Sequence, residues 1–366
     1  MQRAPAFLVV FVSLLYLGAA GVANHGASAQ DRDAGSATKS GPHIAVLLPL
    51  KSAALSRPAD AVRRGVLEAQ HVHAGAGLPV VILATSDDPF DIAQVYEKAV
   101  QNGARLVIGP LTRSAVSALA GSNLVSVPTL ALNAPEMDVA LPADLHVFGL
   151  QLENEAKQIA QIAADKGRRR ALLVTSDTPL SKRLSQAFVE EWTRRGNEVV
   201  HQFQYTTDPA SLNKLRDMLA IGSAEMVFLA LDAQRAKLIR SYLGVSMPIY
   251  ATSLVHTSTE TLSNYELNGV LFVDMPWVLS PDHPAVMSYA RPDAAQSNME
   301  FQRFYALGVD AYRIAQDLLK PRPEFAPLDG VTGYITMDRD GRFVRELIPA
   351  QFVQGETKPL SDARPH

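Results

Sequence analysis

His43-Ile44-Ala45-Val46-Leu47-Leu48 is an unbroken apolar run closed by Pro49. A run this short with no polar alternation reads as a strand buried on both faces, the signature of a parallel sheet covered by crossover helices. The residues that follow are helical in pattern. Val62, Val66, Ala69 and His73 recur at three- and four-residue spacing, Arg63, Arg64 and Glu68 face elsewhere, and Asp60 is placed to cap the N-terminus.

The same grammar continues outward. Apolar strands at Val80 to Leu83, Leu106 to Ile108 and Thr129 to Leu132 alternate with helical stretches through Ile92, Tyr96 and Ala99 and from Ser114 to Ala120. A second series restarts after Val147-Phe148. Its helix stripes run through Leu152, Ala156, Ile159 and Ala163 and through Leu184, Phe188 and Trp192, with further helices at Ser211 to Leu219 and Ala233 to Tyr242. Its strands are Ala171 to Val174, Val199 to Phe203, Met226 to Leu229 and Ile249-Tyr250. Alternating strands and amphipathic helices make βαβ units, so the expected fold is α/β with two similar doubly wound parallel-sheet lobes. Beyond Gly269 to Val273 the order changes to a Pro-rich stretch, a long helix around Phe301 to Leu319, and a hairpin turning at Asp338-Arg339-Asp340-Gly341. Late elements after two finished series imply several crossings between the lobes. Such crossings form a multi-strand hinge, and the cleft between hinged lobes is the default ligand site.

The expected division is a signal peptide over 1–29, a flexible linker over 30–42, one lobe from 43–148 plus 276–321, the other from 149–275 plus 322–355, and a tail over 356–366. The signal rests on Arg3, the apolar run Ala6 to Ala20, and small residues at Ala27-Ser28-Ala29. No later stretch is long and charge-free enough to span a bilayer, which takes about 20 residues. The sequence has no cysteine, which excludes disulfides, thiolate metal sites, a Cys nucleophile and a lipid-bearing cysteine. An exported chain of this kind is expected in the periplasm, its 47% apolar residues being enough to fill two cores without staples. A net charge of -3 argues against nucleic acid or anionic lipid as a general partner. The one basic run, Arg168-Arg169-Arg170, sits where a solvated helix-to-strand turn belongs.

Enzyme motifs are incomplete. Ser36-Ala37-Thr38-Lys39 and Ser211-Leu212-Asn213-Lys214 match Ser-x-x-Lys without the accompanying Ser-Asp-Asn or Lys-Thr-Gly. There is no nucleophile elbow, no phosphate loop and no dinucleotide fingerprint after the first strand. His71 and His73 point to different sides of a helix, and the turn at Asp338 has its glycine fourth where a calcium loop needs it sixth. No catalytic residue, cofactor or metal is implied. In open α/β sheets ligands bind beyond the carboxyl ends of strands, where helix N-termini present backbone N–H groups. That rule selects Ser52, Thr112, Ser114 and Asn133 from one lobe and Ser176, Asp177, Asp232 and Ser253 from the other as candidates lining a cleft. Each has the alternative role of a helix cap. Phe148, Asp274, Pro276, Trp277 and Asp310 are the hinge candidates, with a further crossing expected near Arg322.

Ile44 to Leu50, Val107-Ile108-Gly109-Pro110-Leu111 and Leu130-Ala131-Leu132-Asn133 resemble strand ends of type I periplasmic binding proteins. Asp274-Met275-Pro276-Trp277, Phe304 to Tyr312 and Leu328 to Gly333 narrow the resemblance to the C-terminal domain of the penicillin-binding protein activators, the LppC/LpoA lipoproteins, over Pro42 to about Gly355. The resemblance implies a non-enzymatic regulator that binds a bifunctional penicillin-binding protein and stimulates cell-wall synthesis. Full-length activators add an N-terminal helical-repeat domain and a lipidated cysteine, neither of which this sequence shows. The alternative is a solute receptor with an amino-acid-like ligand, serving an importer or sensor. Against it, Lys51-Ser52-Ala53-Ala54-Leu55 replaces the small, Gly-containing segment that lets receptor backbone approach a ligand.

Cleavage after Ala29 is the expectation that the signal generates. Intact-mass measurement of exported protein checks it, and a mass retaining Met1 to Ala29 would contradict it.

Overall fold

The computed structural model describes residues 41–73, 77–137, 139–244, 247–293, 298–321 and 325–360; the signal and nearly all of the linker, Arg322, and 361–366 of the expected tail lie outside them. All described residues belong to one contact-defined unit, 39–366. The first lobe opens with β1 (His43–Leu48), α1 (Ser56–Val72), β2 (Val80–Ala84), α2 (Pro89–Gln101), β3 (Ala104–Ile108), α3 (Arg113–Ala120), β4 (Thr129–Ala131) and β5 (Leu145–Val147). Its sheet has the order β2-β1-β3-β4-β5, with every pairing parallel. All six residues of β1 are buried, as an interior strand requires.

The second lobe follows with α4 (Leu152–Asp165), β6 (Arg170–Thr175), α5 (Pro179–Arg194), β7 (Glu198–Gln204), α6 (Pro209–Ala220), β8 (Met226–Leu229), α7 (Ala233–Arg240), β9 (Ile249–Ala251), α8 (Thr261–Asn264) and β10 (Val270–Asp274). The chain then forms two short helices, α9 (Pro276–Leu279) and α10 (Pro284–Met287), the long α11 (Met299–Leu318), and β11 (Leu328–Gly330), β12 (Gly333–Met337), β13 (Phe343–Glu346), β14 (Ile348–Val353) and β15 (Glu356–Pro359). The second sheet runs β15-β14-β10-β9-β8-β6-β7. β10, β9, β8, β6 and β7 pair in parallel, and β14 and β15 add to the edge antiparallel.

Three expectations change. Residues 356–359, expected in a tail, form β15, because Glu356 to Pro359 find an open edge on β14. Asp60 is not a cap: α1 starts at Ser56, with Pro58 compatible with its first turn, and the Asp60 carboxylate instead accepts from Arg63 and Arg64 at 2.5–2.8 Å. β14 was not expected at all, since its Pro349 argues against a strand interior and its pairing partner β10 is far away in sequence.

The junction between the lobes is filled by the three-stranded sheet β11-β12-β13 and by α11. Phe148 leaves β5 fully buried and meets Phe343 edge-on, with ring centroids 6.2 Å apart. Trp277 is also fully buried; its backbone N–H donates to Val331 O at 2.9 Å and its indole N–H to Gln302 at 2.7 Å. One apolar cluster is continuous from Ile44 and Leu106 through Phe148, Trp277, Ile335 and Phe343 to Ile159 and Phe188.

α11 lies against α1 at backbone distance. A Cβ on Gly65 would fall 2.0 Å from Tyr305 O, and one on Gly308 would fall 2.2 Å from Val62 O. Glycine at both positions is what lets the helices approach. Gly308→Ala should therefore destabilise the protein by about 1–3 kcal/mol, the strain outweighing the ~1 kcal/mol that alanine normally adds to a helix. Thermal unfolding checks this, with Gly121→Ala as the control, because nothing lies closer than 3.4 Å to a Cβ there.

Candidate functional site

The loops beyond the strand ends carry the expected residues, and nearly all of them are engaged locally. In the first lobe Ser52 Oγ accepts from Leu55 N–H at 3.3 Å, in the turn that precedes α1. Thr112 caps α3 by accepting from Ala115 N–H at 3.3 Å, and Ser114 Oγ lies 3.5 Å from the Thr112 hydroxyl. Asn133 donates to Leu111 O at 3.1 Å and accepts from Ala134 N–H at 3.0 Å, tying the β4 loop to the β3 loop.

In the second lobe Ser176 shares a 3.1 Å hydrogen bond with Thr178, the N-cap of α5. Asp232 caps α7 through Arg235 N–H at 2.9 Å and also pairs with the Arg235 side chain. Asp177 makes no hydrogen bond to a described side chain and lines an open groove beside α5. Ser253 is different: its N–H donates to Glu155 Oε2 at 2.8 Å and its carbonyl accepts from Arg303 at 3.2 Å. Ser253 therefore marks the edge of something the loop rule did not select.

That feature is a buried ionic network at the lobe junction. Asp274, the last residue of β10, is fully buried and accepts from Arg303 of α11 at 2.5 and 3.2 Å and from His256 at 2.8 Å. Burial alone would raise the Asp274 carboxyl, but Arg303 and His256 overcome it and hold it below its ordinary range. Arg303 also donates to His256 O at 2.7 Å. Glu155 lies next along the network, 4.0 Å from Arg345 of β13, which itself donates to Gly149 O at 3.1 Å and Thr332 O at 3.3 Å. Thr332 in turn donates to Asp310 from both its N–H and its hydroxyl at 2.7 Å, and Asp310 pairs with Arg313 at 3.1 Å. Two of the hinge candidates, Asp274 and Asp310, thus anchor opposite ends of one chain of contacts.

Glu155, Arg303 and Arg345 escaped the sequence reading. A signal existed for Glu155, which is four residues before Ile159 and so falls on the apolar stripe of α4. Arg345 alternates inward in a hairpin whose outward residues are exposed; nothing in the sequence distinguishes it from a surface arginine.

A second ionic contact joins the two lobes. Glu153, at the start of α4, accepts from Arg183 of α5 at 2.7 Å and lies 3.5 Å from Arg113 of α3, whose guanidinium also donates to Pro135 O at 2.7 Å. Arg113 belongs to one lobe and Arg183 to the other. Among the described residues no group of three or more His, Asp or Glu side chains could hold a metal ion, and no helix is long and apolar enough to cross a membrane.

Two α/β lobes with parallel sheets, joined by several crossings, define a type I periplasmic-binding-protein fold, and its solved relatives agree. A putative branched-chain amino acid ABC transporter from Chromobacterium violaceum superposes with a TM-score of 0.72 at 39% identity, over 86% of this chain and all of that one. The LpoA (YraM) C-domain from Haemophilus influenzae, described as a regulator of PBP1A, superposes with a TM-score of 0.73 at 23% identity, over 87% of this chain and 99% of that one. The family model for the LppC putative lipoprotein matches residues 37–355, and the chain belongs to that family. Among curated relatives, the penicillin-binding protein activator LpoA of an Enterobacter species is 28% identical over 79% of this chain and 45% of its own length. That of Photobacterium profundum is 24% identical over 87% of this chain and 57% of its own length. The chain thus spans about half the length of the curated relatives it matches.

Burial raises the Glu155 carboxyl to about 7, with Arg345 opposing the rise and Asp274 adding to it. Between the ordinary carboxylate range and about 7 the folded chain therefore holds a proton that the unfolded chain has lost, so stability falls as pH rises through that window and levels off above it. Glu155→Gln keeps an acceptor for Ser253 N–H and removes the titration. Urea unfolding at pH 5 and pH 8 should show the wild type losing stability on the order of 3 kcal/mol relative to the variant over that range. Parallel pH profiles would contradict it.

Proposed function

We propose that this chain is a non-enzymatic periplasmic regulator that binds a bifunctional peptidoglycan synthase of the penicillin-binding protein class and stimulates its activity. The observation that carries this reading is the family match over 37–355, supported by curated relatives named as penicillin-binding protein activators. The site geometry favours it as well. Among the eight cleft candidates only Asp177 is without a local hydrogen bond, so the strand-end loops spend their polar groups on capping and on holding the lobes, not on a free ligand. Association with a partner needs surface, and it needs no catalytic constellation.

The receptor reading stays as the alternative because of the 39% identity to the Chromobacterium violaceum protein, described as a putative branched-chain amino acid ABC transporter. The two readings separate cleanly in one pair of measurements. The regulator should bind a purified synthase ectodomain in surface plasmon resonance and raise its cross-linking rate, while calorimetry with leucine, isoleucine and valine gives no heat. Micromolar binding of one of these amino acids without synthase binding would establish the receptor instead.

A further inference from the structure

A groove of about 660 Å³ runs along the outer side of the second lobe, between α5 and the edge strand β7, and starts from the β6 end at Thr175-Ser176-Asp177. In a doubly wound sheet a crossover helix normally covers its strands with apolar contacts. Here Phe188 of α5 stacks on Phe228 of β8 with centroids 4.2 Å apart, and Trp192 meets β7 at its first residue, its indole N–H donating to Glu198 O at 2.9 Å. The flank left toward β7 carries Ser185, Gln186, Val189, Thr193 and Glu190, whose carboxylate accepts from Gln186 at 2.9 Å and lies 3.8 Å from Lys157. From β7 the facing residues are Gln202 and Gln204, in register with Leu173 and Thr175. Both glutamines are exposed, and neither side chain bonds another described residue.

The strand itself is also available. β7 ends the seven-stranded sheet and pairs only with β6 among the described residues. Tyr205 N–H donates to Thr175 O at 2.6 Å, and Phe203 O accepts from the Thr175 hydroxyl at 3.5 Å. Residues 203 and 205 therefore direct their backbone toward β6, and by strand alternation Gln202 and Gln204 direct theirs outward. Edges of this kind are usually blunted by proline, lysine or a bulge; Glu198 to Gln204 contains neither proline nor lysine, and its one register break, between Val199 and His201, lies before the stretch from Gln202 to Gln204. Lys182 stands at the groove's β6 end and forms no ion pair among the described residues.

We propose that this groove binds an extended peptide segment, which adds to β7 as an eighth strand and places an acidic side chain or terminal carboxylate at Lys182. Free backbone groups supply the ladder, and carboxamides at alternate positions on one face match the two-residue repeat of an added strand. A peptide fits better than a glycan, because no aromatic ring lines the groove to stack on a sugar. The inference does not depend on the regulatory reading; it stands or falls on the edge of β7.

A phage-displayed octapeptide library panned against the protein supplies the probe, and the enriched octapeptide is then synthesised and titrated by calorimetry. Gln204→Pro, which removes an outward N–H, and the double change Gln202→Ala with Gln204→Ala should each weaken binding about tenfold, the loss expected for one or two hydrogen bonds. Lys182→Glu should weaken it for peptides with an acidic residue at the matching end. The melting temperature of the double alanine variant should stay at the wild-type value, and the amides of Gln202 and Gln204 should exchange hydrogen more slowly in the complex. Failure to enrich any octapeptide, or equal affinity for wild type and variants, overturns the proposal. So does tight binding of a chitin tetrasaccharide that is abolished by the same alanines and leaves both amides exchanging freely.

Discussion

The pairing of Asp274 with Arg303 holds the end of β10 to α11, and through it the two lobes to each other. A carboxylate with no solvent exposure is tolerable only when its charge is met, and Arg303 meets it from an element that packs on the other lobe. Removing one partner of such a pair typically costs about 3–5 kcal/mol, because the other is left charged in a low-dielectric interior. The neighbouring groups extend the constraint. Arg345 is fixed by two carbonyls, Asp310 by two N–H groups and a hydroxyl, and Glu155 by the N–H of Ser253, so the hinge sheet, α4 and α11 share one set of directional contacts. Apolar packing around Phe148, Trp277 and Phe343 brings these elements together, and the ions decide in which register they meet.

The α/β framework was legible because βαβ units repeat a local pattern. Each buried strand is a short apolar run and each helix has a 3.6-residue stripe, so Ile44 to Leu48, Ala171 to Val174 and the stripe through Leu184 and Phe188 could be placed from the sequence alone. β14 and β15 were not legible for a physical reason. β14 contains Pro349 and owes its conformation to pairing with β10, some seventy residues earlier, and β15, with Pro359, pairs in turn with β14. Long-range pairing of this sort leaves little trace in composition.

The candidate site divides in the same way. Rules about strand ends select loops, and hydroxyl and carboxylate side chains at such positions serve capping as readily as ligand contact. Thr112 and Asp232 illustrate it, each occupied by the N–H three residues on. The residues with the most perturbed surroundings, Glu155, Asp274 and Arg345, sit where elements distant in sequence converge. Asp274 was reached because it belongs to a motif at a change in element order. Glu155 could have been reached by asking why an acid occupies an apolar stripe.

The antiparallel pair at the edge of the second sheet bears on how the protein acquires its shape. β10 lies between β9 and β14, so the second sheet lacks a neighbour on one side of β10 until residues 348–353 are present. The first lobe waits for α11, whose Gly308 closes onto α1 more than two hundred residues earlier in the chain. Neither half can therefore finish as an independent unit while the polypeptide is still being made. Contacts of such high sequence separation slow folding and keep unpaired edges exposed in partly formed states. Although the architecture looks modular, its assembly is concerted: a chain cut short before β14 would leave the second sheet incomplete, and one cut short before α11 would leave both halves so.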